Sequence, residues 1–348
     1  MAKKRSVGIG LVGLGFMGLT HLRAAQDVRG GKVVAIATSD PNKARGDFSS
    51  VGGNFGDAGG REDMTGIAVH PTLEALLKDD RVDLVDLCLP SYLHAPAAIR
   101  CLQAGKAVLV EKPIALDPKD ARKMLLAAKK ARKPLMVAQV LRFMPEFSLL
   151  SDAVKSKRWG KLLSLHMKRI IAMPEWGDSS WFADPAKSGG MVIDLHIHDT
   201  DFIVHLFGKP NAVSSNGLVD KRGVNFIRTT YHGKAKGPLL SAEAGWLNAP
   251  GLPFEHGYDA FFEKGTVHFN SSTAPKPLLY TTAGRAARKL VIKPVDGFAR
   301  ELQAAVQSVK TGKVDPLLKA AGAADSLTVC NAEERSVRSG GRTVKIRS

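Results

Sequence analysis

The stretch Val7-Gly8-Ile9-Gly10-Leu11-Val12-Gly13-Leu14-Gly15-Phe16-Met17-Gly18-Leu19 decides how this chain is read. Val7 to Val12 is an apolar run suited to a buried parallel strand, and Leu19 to Ala25 continues as a helix. Glycines at 13, 15 and 18 stand between them. The first permits a tight turn, the second lets the backbone approach a phosphate, and the third lets the helix pack near the strand. The helix N-terminus adds free N–H groups and a positive dipole end. Strand, glycine turn and helix in this order predict a dinucleotide pyrophosphate site. The glycine triplet alone is weak; its context carries the reading.

Working outward, strands and helices alternate. Lys32–Ala37, Leu84–Leu89, Ala107–Val110 and Leu135–Ala138 read as strands; Thr72–Lys78, Leu93–Gly105 and Asp117–Lys130 read as helices. This predicts an α/β fold, a doubly wound parallel sheet over residues 1–142, with ligands at the carboxyl ends of its strands. Pro90 and Lys112 fall at those ends. Gly46 to Asp63, with five glycines from Gly52 to Gly60 and almost no apolar content, reads as a long flexible surface loop, with covering of the cofactor's adenosine end as the lesser alternative. After Arg142 the pattern changes to runs of strands, and Val295–Thr311 and Pro316–Arg338 read as closing helices. Residues 143–348 are therefore expected to form an α+β domain with an open, mostly antiparallel sheet.

With 348 residues, 44% hydrophobic and 24% charged, the chain has the make-up of a soluble globular protein of two domains. No apolar run is long enough to cross a membrane, and no signal segment precedes the first strand, so a cytoplasmic location is expected. Cys88, Cys101 and Cys330 have neither disulfide nor metal spacing and read as reduced thiols. The net charge of +17 is scattered over solvated faces. Its densest stretches, Lys129–Lys133 and the tail from Arg335, lack interleaved aromatics, so nucleic acid is not expected; a mild field favouring anionic ligands is.

A second informative stretch runs Ser188-Gly189-Gly190-Met191-Val192-Ile193-Asp194-Leu195-His196-Ile197-His198-Asp199. Its glycines read as a helix start. Asp194 and His198, four apart, share a helix face, and a carboxylate beside an imidazole raises its basicity and fixes its tautomer for general-base work. Two other readings stay open on this stretch. His196, His198, Asp199 and His205 crowd together as metal ligands do, although no HExxH or cysteine set is present. A structural helix with satisfied histidines is the plainer alternative. Lys112, at a strand's end before Pro113, reads as lying on the cofactor side of the first sheet, with an exposed loop lysine as the alternative on position alone.

These pieces together resemble the Gfo/Idh/MocA oxidoreductases. The likeness rests on the glycine turn, Pro90-Ser91-Tyr92-Leu93-His94-Ala95-Pro96, Glu111-Lys112-Pro113 and Gly189-Gly190-x-x-x-Asp194-x-x-x-His198-Asp199. It extends to Gly297-Phe298-x-x-Glu301-Leu302 and Ala323-Ala324-x-Ser326. The resemblance implies a Rossmann domain and a second domain whose open sheet face commonly makes a homodimer or homotetramer contact. It implies hydride transfer between a nicotinamide and a carbinol carbon of a sugar, cyclitol or related polyol, with no metal. Lys112 would hydrogen-bond the reacting hydroxyl and relay its proton, His198 would take that proton, and Asp194 would hold both by charge. The cofactor would lie along Gly13, Gly15, Phe16, Met17 and Gly18, with Thr38 and Ser39 at its adenosine ribose and Pro90, His94, Glu111 and Lys112 near its nicotinamide. His94 and Trp181 would border the nicotinamide or the substrate; Arg142, Trp176 and His196 would add to the substrate pocket.

One departure concerns the cofactor. An NAD site wants an acidic residue ending the second strand, where this chain has Thr38 and Ser39. Lys43 and Arg45 follow, while Asp40-Pro41 reads as the cap of the next helix. This tilts the reading to NADP and keeps NAD open. Two alternatives remain among related activities: a glycosidase that keeps NAD bound and works by transient oxidation and elimination, and a non-catalytic dinucleotide-binding sensor. Intact Lys112, Asp194 and His198 argue against the sensor.

Overall fold

The computed structural model describes residues 6–53, 59–173, 181–233, 235–249, 251–281 and 286–346. The chain divides into two units, Met1–Phe143 with Val295–Ala324, and Met144–Pro294 with Asp325–Ser348. A single boundary after residue 142 is thus corrected, because a later segment belongs with the first unit.

In the first unit, β1 (Val7–Val12), β2 (Gly31–Ala37), β3 (Ala68–His70), β4 (Leu84–Leu87), β5 (Ala107–Glu111) and β6 (Leu135–Ala138) form one sheet in the order β3-β2-β1-β4-β5-β6. Every pairing is parallel. β1, β4, β5 and β6 are buried along their whole length, which explains their unbroken apolar sequence. Between them run α1 (Phe16–Ala24), α2 (Pro41–Ala44), α3 (Leu73–Leu77), α4 (His94–Gln103) and α5 (Pro118–Ala131). The direction of strand succession reverses between β1 and β4, and such a switch opens a crevice at the carboxyl ends.

Helix α9 (Gly297–Thr311) belongs to this unit for a packing reason. It buries Phe298, Leu302, Ala305 and Val306, and Val306 lies so close to Gly31 that a Cβ there would meet its Cγ2 at 2.5 Å. The described parts of the glycine-rich segment, 46–53 and 59–63, are better anchored than their composition suggests. Phe48 and Val51 are buried in a cluster with Leu11, Leu14, Leu19, Leu22 and Ile36. The Phe48 N–H donates to the Gly60 carbonyl at 2.7 Å, and Gly59 to Val51 at 2.9 Å. Two apolar side chains are enough to tie down these described parts.

The second unit holds a nine-stranded sheet. Its strands are β7 (Leu162–Ala172), β8 (Ala212–Asp220), β9 (Gly223–His232), β10 (Leu239–Leu247), β11 (Glu255–Phe262), β12 (Gly265–Asn270), β13 (Ala274–Thr281), β14 (Arg288–Lys289) and β15 (Val344–Lys345). They stand in the order β14-β13-β12-β11-β7-β10-β9-β8-β15, open at both ends and antiparallel except for β7 with β10. One face is covered by α6 (Pro145–Ser156) and α8 (Ile197–Phe207). There Phe147 of α6 meets Phe202, Tyr258 and Phe269 at ring-centroid distances of 5.3, 5.6 and 5.9 Å. The other face carries cross-strand polar pairs: Lys168 with Glu255 at 3.0 Å, Arg228 with Glu243 at 2.7 Å, and His268 with Asp259 at 2.6 Å. Among the described residues no helix is long and apolar enough to cross a membrane. The cysteines are unpaired.

Candidate functional site

The glycine turn closes the carboxyl end of β1. Gly13 has φ +90°, and a Cβ on it would stand 2.4 Å from the Cys88 carbonyl oxygen at the end of β4. A Cβ on Gly18 would stand 2.0 Å from the Gly13 carbonyl. Both positions therefore need glycine for packing. Gly15 differs: nothing lies within 4 Å of its Cβ position. It is the N-cap of α1, whose first turn, including Phe16 and Met17, has no acidic residue and no capping side chain. A positive helix end with no capping side chain and an open Gly15 fit an anionic pyrophosphate.

At the end of β2 the Thr38 hydroxyl accepts from the Asp40 N–H at 3.1 Å, and Ser39 is exposed. Asp40 caps α2, accepting from the N–H groups of Asn42 and Lys43 at 2.8 and 3.3 Å. Those amides, Asn42 first, hold its carboxyl below the usual range. Asp40 is thus engaged in the helix cap read from the sequence.

Glu111 ends β5 and Lys112-Pro113 follow it, with a cis peptide bond before Pro113. Lys112 is half-buried. Glu111 is buried and turned inward, where its carboxylate accepts the Lys112 main-chain N–H at 2.9 Å and lies 3.1 Å from His21 Nε2. His94 is buried as well, with Nδ1 2.7 Å from the Pro113 carbonyl and Nε2 2.7 Å from that of Leu89. It clips the turn after β5 to the Pro90 turn after β4. Arg142 is buried within the same unit and donates from Nη1 to the Leu317 carbonyl at 2.8 Å.

In the second unit α7 (Pro185–Ser188) ends at Gly189 and Gly190, both at positive φ. The glycines therefore close one helix before the next begins. Val192–His196 is a π-helical turn running into α8, a feature frequent at functional sites. From Met191 to Val204 every residue is buried except Asp194 and His198. Buried partners fix this geometry. Arg169 donates to both carboxylate oxygens of Asp199 at 2.8 and 3.0 Å, His196 Nε2 stands 3.3 Å from Glu333, and Ser326 donates to Asp201 at 2.8 Å. His196 and Asp199, considered above for a pocket and a metal, are thus engaged inside the unit. Trp181 is half-buried against Phe182; Trp176 lies outside the described residues.

Sequence reasoning missed a buried cluster in the first unit. His21 Nδ1 on α1 lies 2.9 Å from Asp86 Oδ2 on β4, with the Cys88 sulfur 3.8 Å from Asp86 Oδ1. Glu301 on α9 is fully buried, and neither of its carboxylate oxygens has a hydrogen-bond partner among the described residues. Burial pulls the His21 pKa down, but Asp86 and Cys88 outweigh it and hold the imidazole well above its usual value. Burial, opposed by His21 and Lys112, leaves Glu111 below the carboxylate range. Burial and then the Glu111 charge push Glu301 well above it. The signals were present: Asp86 interrupts an apolar strand, and Glu301 sits on the apolar stripe of α9.

Residues 7–139 match the family described as "Oxidoreductase family, NAD-binding Rossmann fold", and residues 147–268 match the "GFO/IDH/MocA C-terminal domain". Inositol 2-dehydrogenase of Streptomyces avermitilis is 26% identical over 326 residues, covering 88% of this chain and 85% of that protein. A levoglucosan dehydrogenase solved with NADH and levoglucosan has a TM-score of 0.79 at 20% identity, covering 98% of this chain and 100% of its own. The aldose-aldose oxidoreductase from Caulobacter crescentus, complexed with glycerol, gives 0.81 at 22%, with 98% and 100% covered. The two structural likenesses show a shared fold. Since the glycine turn and the Asp194–His198 helix each fall inside a matched region, in the expected order, the chain belongs to the GFO/IDH/MocA oxidoreductase family.

Proposed function

We propose that the chain transfers hydride between NADP(H) or NAD(H) and a carbinol carbon of a sugar, cyclitol or related polyol. The observation that carries the proposal is the open Gly15 at the N-terminus of α1, where no side chain takes the place of an anion. The activities named for the relatives, on inositol and levoglucosan, support the substrate class. The nicotinamide, when bound, accepts or returns the hydride. Lys112 Nζ donates to the reacting hydroxyl oxygen and offsets the negative charge that grows there. His198 takes the hydroxyl proton on an imidazole nitrogen in the oxidation direction, and Asp194 supports the resulting charge. NADP is favoured over NAD, because Thr38 and Ser39 do not repel a 2′-phosphate and Asp40 is engaged in capping α2. Self-association through the open sheet face and a cytoplasmic site of action, in keeping with the unpaired cysteines, belong to the same proposal.

The test is a panel of myo-inositol, D-glucose, levoglucosan and D-apiose with NAD+ and NADP+, following absorbance of the reduced cofactor. Lys112→Met should abolish turnover while NADPH still binds; a variant as fast as the parent would remove Lys112 from the chemistry. Thr38→Asp should move preference toward NAD. An unchanged NADP/NAD ratio would show that the adenosine ribose binds elsewhere. Glycoside cleavage without net cofactor turnover would replace the dehydrogenase reading with the glycosidase.

A further inference from the structure

We propose that His21 and Glu111 are positioning residues for Lys112: the imidazole, held between Asp86 and Glu111, fixes the carboxylate that accepts the Lys112 main-chain N–H. The inference rests on the catalytic role proposed above for Lys112. The chain of contacts is continuous and lies within the first unit. It runs from Asp86 to His21 at 2.9 Å, from His21 to Glu111 at 3.1 Å, and from Glu111 to the Lys112 amide at 2.9 Å.

The sequence places its members on three rigid supports. His21 lies three residues after Gly18, on α1, so the helix whose N-terminus would hold the cofactor's pyrophosphate also carries the imidazole. Asp86 stands within β4 and Glu111 ends β5, adjacent parallel strands. The charged and titratable groups of this cluster are Asp86 on β4, Cys88 just beyond it, Glu111 and Lys112 from β5 and its turn, Glu301 from α9, and Arg142, which acts on Glu301. The Phe298 ring, 5.9 Å from the imidazole, closes the remaining side.

The alternation of charge along this chain is self-consistent. A protonated His21 donates from Nδ1 to Asp86, and its Nε2, 3.1 Å from Glu111 without hydrogen-bond geometry, sets the ring's positive charge beside that carboxylate, so each carboxylate has a cation next to it. Glu301, kept protonated, adds no third negative charge to the buried group. Without His21, Glu111 would lose its buried cation and its reason to stay ionised and inward. The Lys112 amide would lose a charged acceptor. The Pro113 carbonyl, clipped by His94, holds the turn on its far side, so Lys112 sits between two fixed points. A lysine that must place Nζ on one hydroxyl oxygen needs such a fixed backbone, since a displacement of about 1 Å can cost about 100-fold in rate.

Lys112→Met, Glu111→Gln, His21→Asn and the Glu111→Gln/His21→Asn double variant are compared with the parent, using whichever of myo-inositol, D-glucose or levoglucosan the panel shows to be turned over. Glu111→Gln keeps the shape of the side chain and removes its charge. Its kcat should fall about 10- to 100-fold while KM for cofactor and substrate stays within about threefold, because misplacement of Lys112 touches the reacting oxygen more than ground-state binding. His21→Asn should behave alike. The double variant should be no slower than the worse single variant, as expected of residues acting through one path. A folded Glu111→Gln protein with kcat within about twofold of the parent, alongside an inactive Lys112→Met, would overturn the inference and leave the role of Lys112 standing. Multiplying losses in the double variant would also overturn it. If His21→Asn does not fold, Glu111→Gln alone decides. A fully active Lys112→Met would sink the reading beneath both.

Discussion

Glu301 keeps its proton where an ordinary carboxyl group would lose it, and this links folding to pH. Its pKa in the fold is raised, by burial and then by the Glu111 charge. Below the ordinary carboxylate range both folded and unfolded chains hold the proton, and its contribution is fully present. As pH rises, the unfolded chain ionises first, so stability is lost progressively until the pH passes the raised folded value. Glu301→Gln removes this dependence. Its melting temperature relative to the parent should climb as pH goes from about 4 to about 8, by about 2–4 °C for each kcal/mol released. A difference between the two proteins that stays constant with pH would show Glu301 to be ionised in the fold. His21, also raised, loses its stabilising share as pH rises through its folded value, whereas Glu111, lowered, loses its share as pH falls.

At the scale of elements, α1 separates two uses of glycine. Gly18→Ala forces a methyl group against the Gly13 carbonyl and should destabilise the protein by about 1–3 kcal/mol. Gly15→Ala meets no protein atom, so its unfolding midpoint should match the parent while NADPH binding, measured by fluorescence titration, weakens several-fold. Equal NADPH affinity in Gly15→Ala would show that the pyrophosphate lies elsewhere. The glycine turn, the parallel strands and the order of the segments bearing Lys112, Asp194 and His198 were legible because each depends on local spacing. Other elements were not. β3 is three residues long, and β13 contains Pro275 and Pro277, which argue against a strand. The parallel pairing of β7 with β10 depends on partners far apart in sequence. The Asp86–His21–Glu111 chain was hidden for the same reason: each residue reads as an isolated polar group until three elements bring them together. The two-residue anchor of Phe48 and Val51 was masked by the glycines around it.

At the scale of the whole molecule, the open face of the nine-stranded sheet carries an apolar row. Leu239 and Phe261 both pair with Ser164, Phe261 pairs with Thr266, and Thr266 pairs with Tyr280, so these side chains stand on one side. Leu239, Phe261 and Tyr280 are 75%, 44% and 46% exposed. Exposed apolar side chains aligned across a sheet suit association with a second copy of the chain. The parent should show the mass of a dimer or tetramer by light scattering, and the Phe261→Asp/Tyr280→Asp variant a smaller one with an unchanged circular dichroism spectrum. An unaltered mass would place the association on another surface.

The return of Val295–Ala324 to the first unit has a consequence for how the protein is made. When the ribosome has released only the first 143 residues, all six parallel strands exist, yet the helix that packs on Gly31 and supplies Glu301 has not been synthesised. The nascent sheet must wait, with that flank bare, through some 150 further codons. An N-terminal fragment cut at the apparent boundary should therefore be prone to clump, whereas the same fragment joined by a short linker to 295–324 should stay in solution and melt cooperatively.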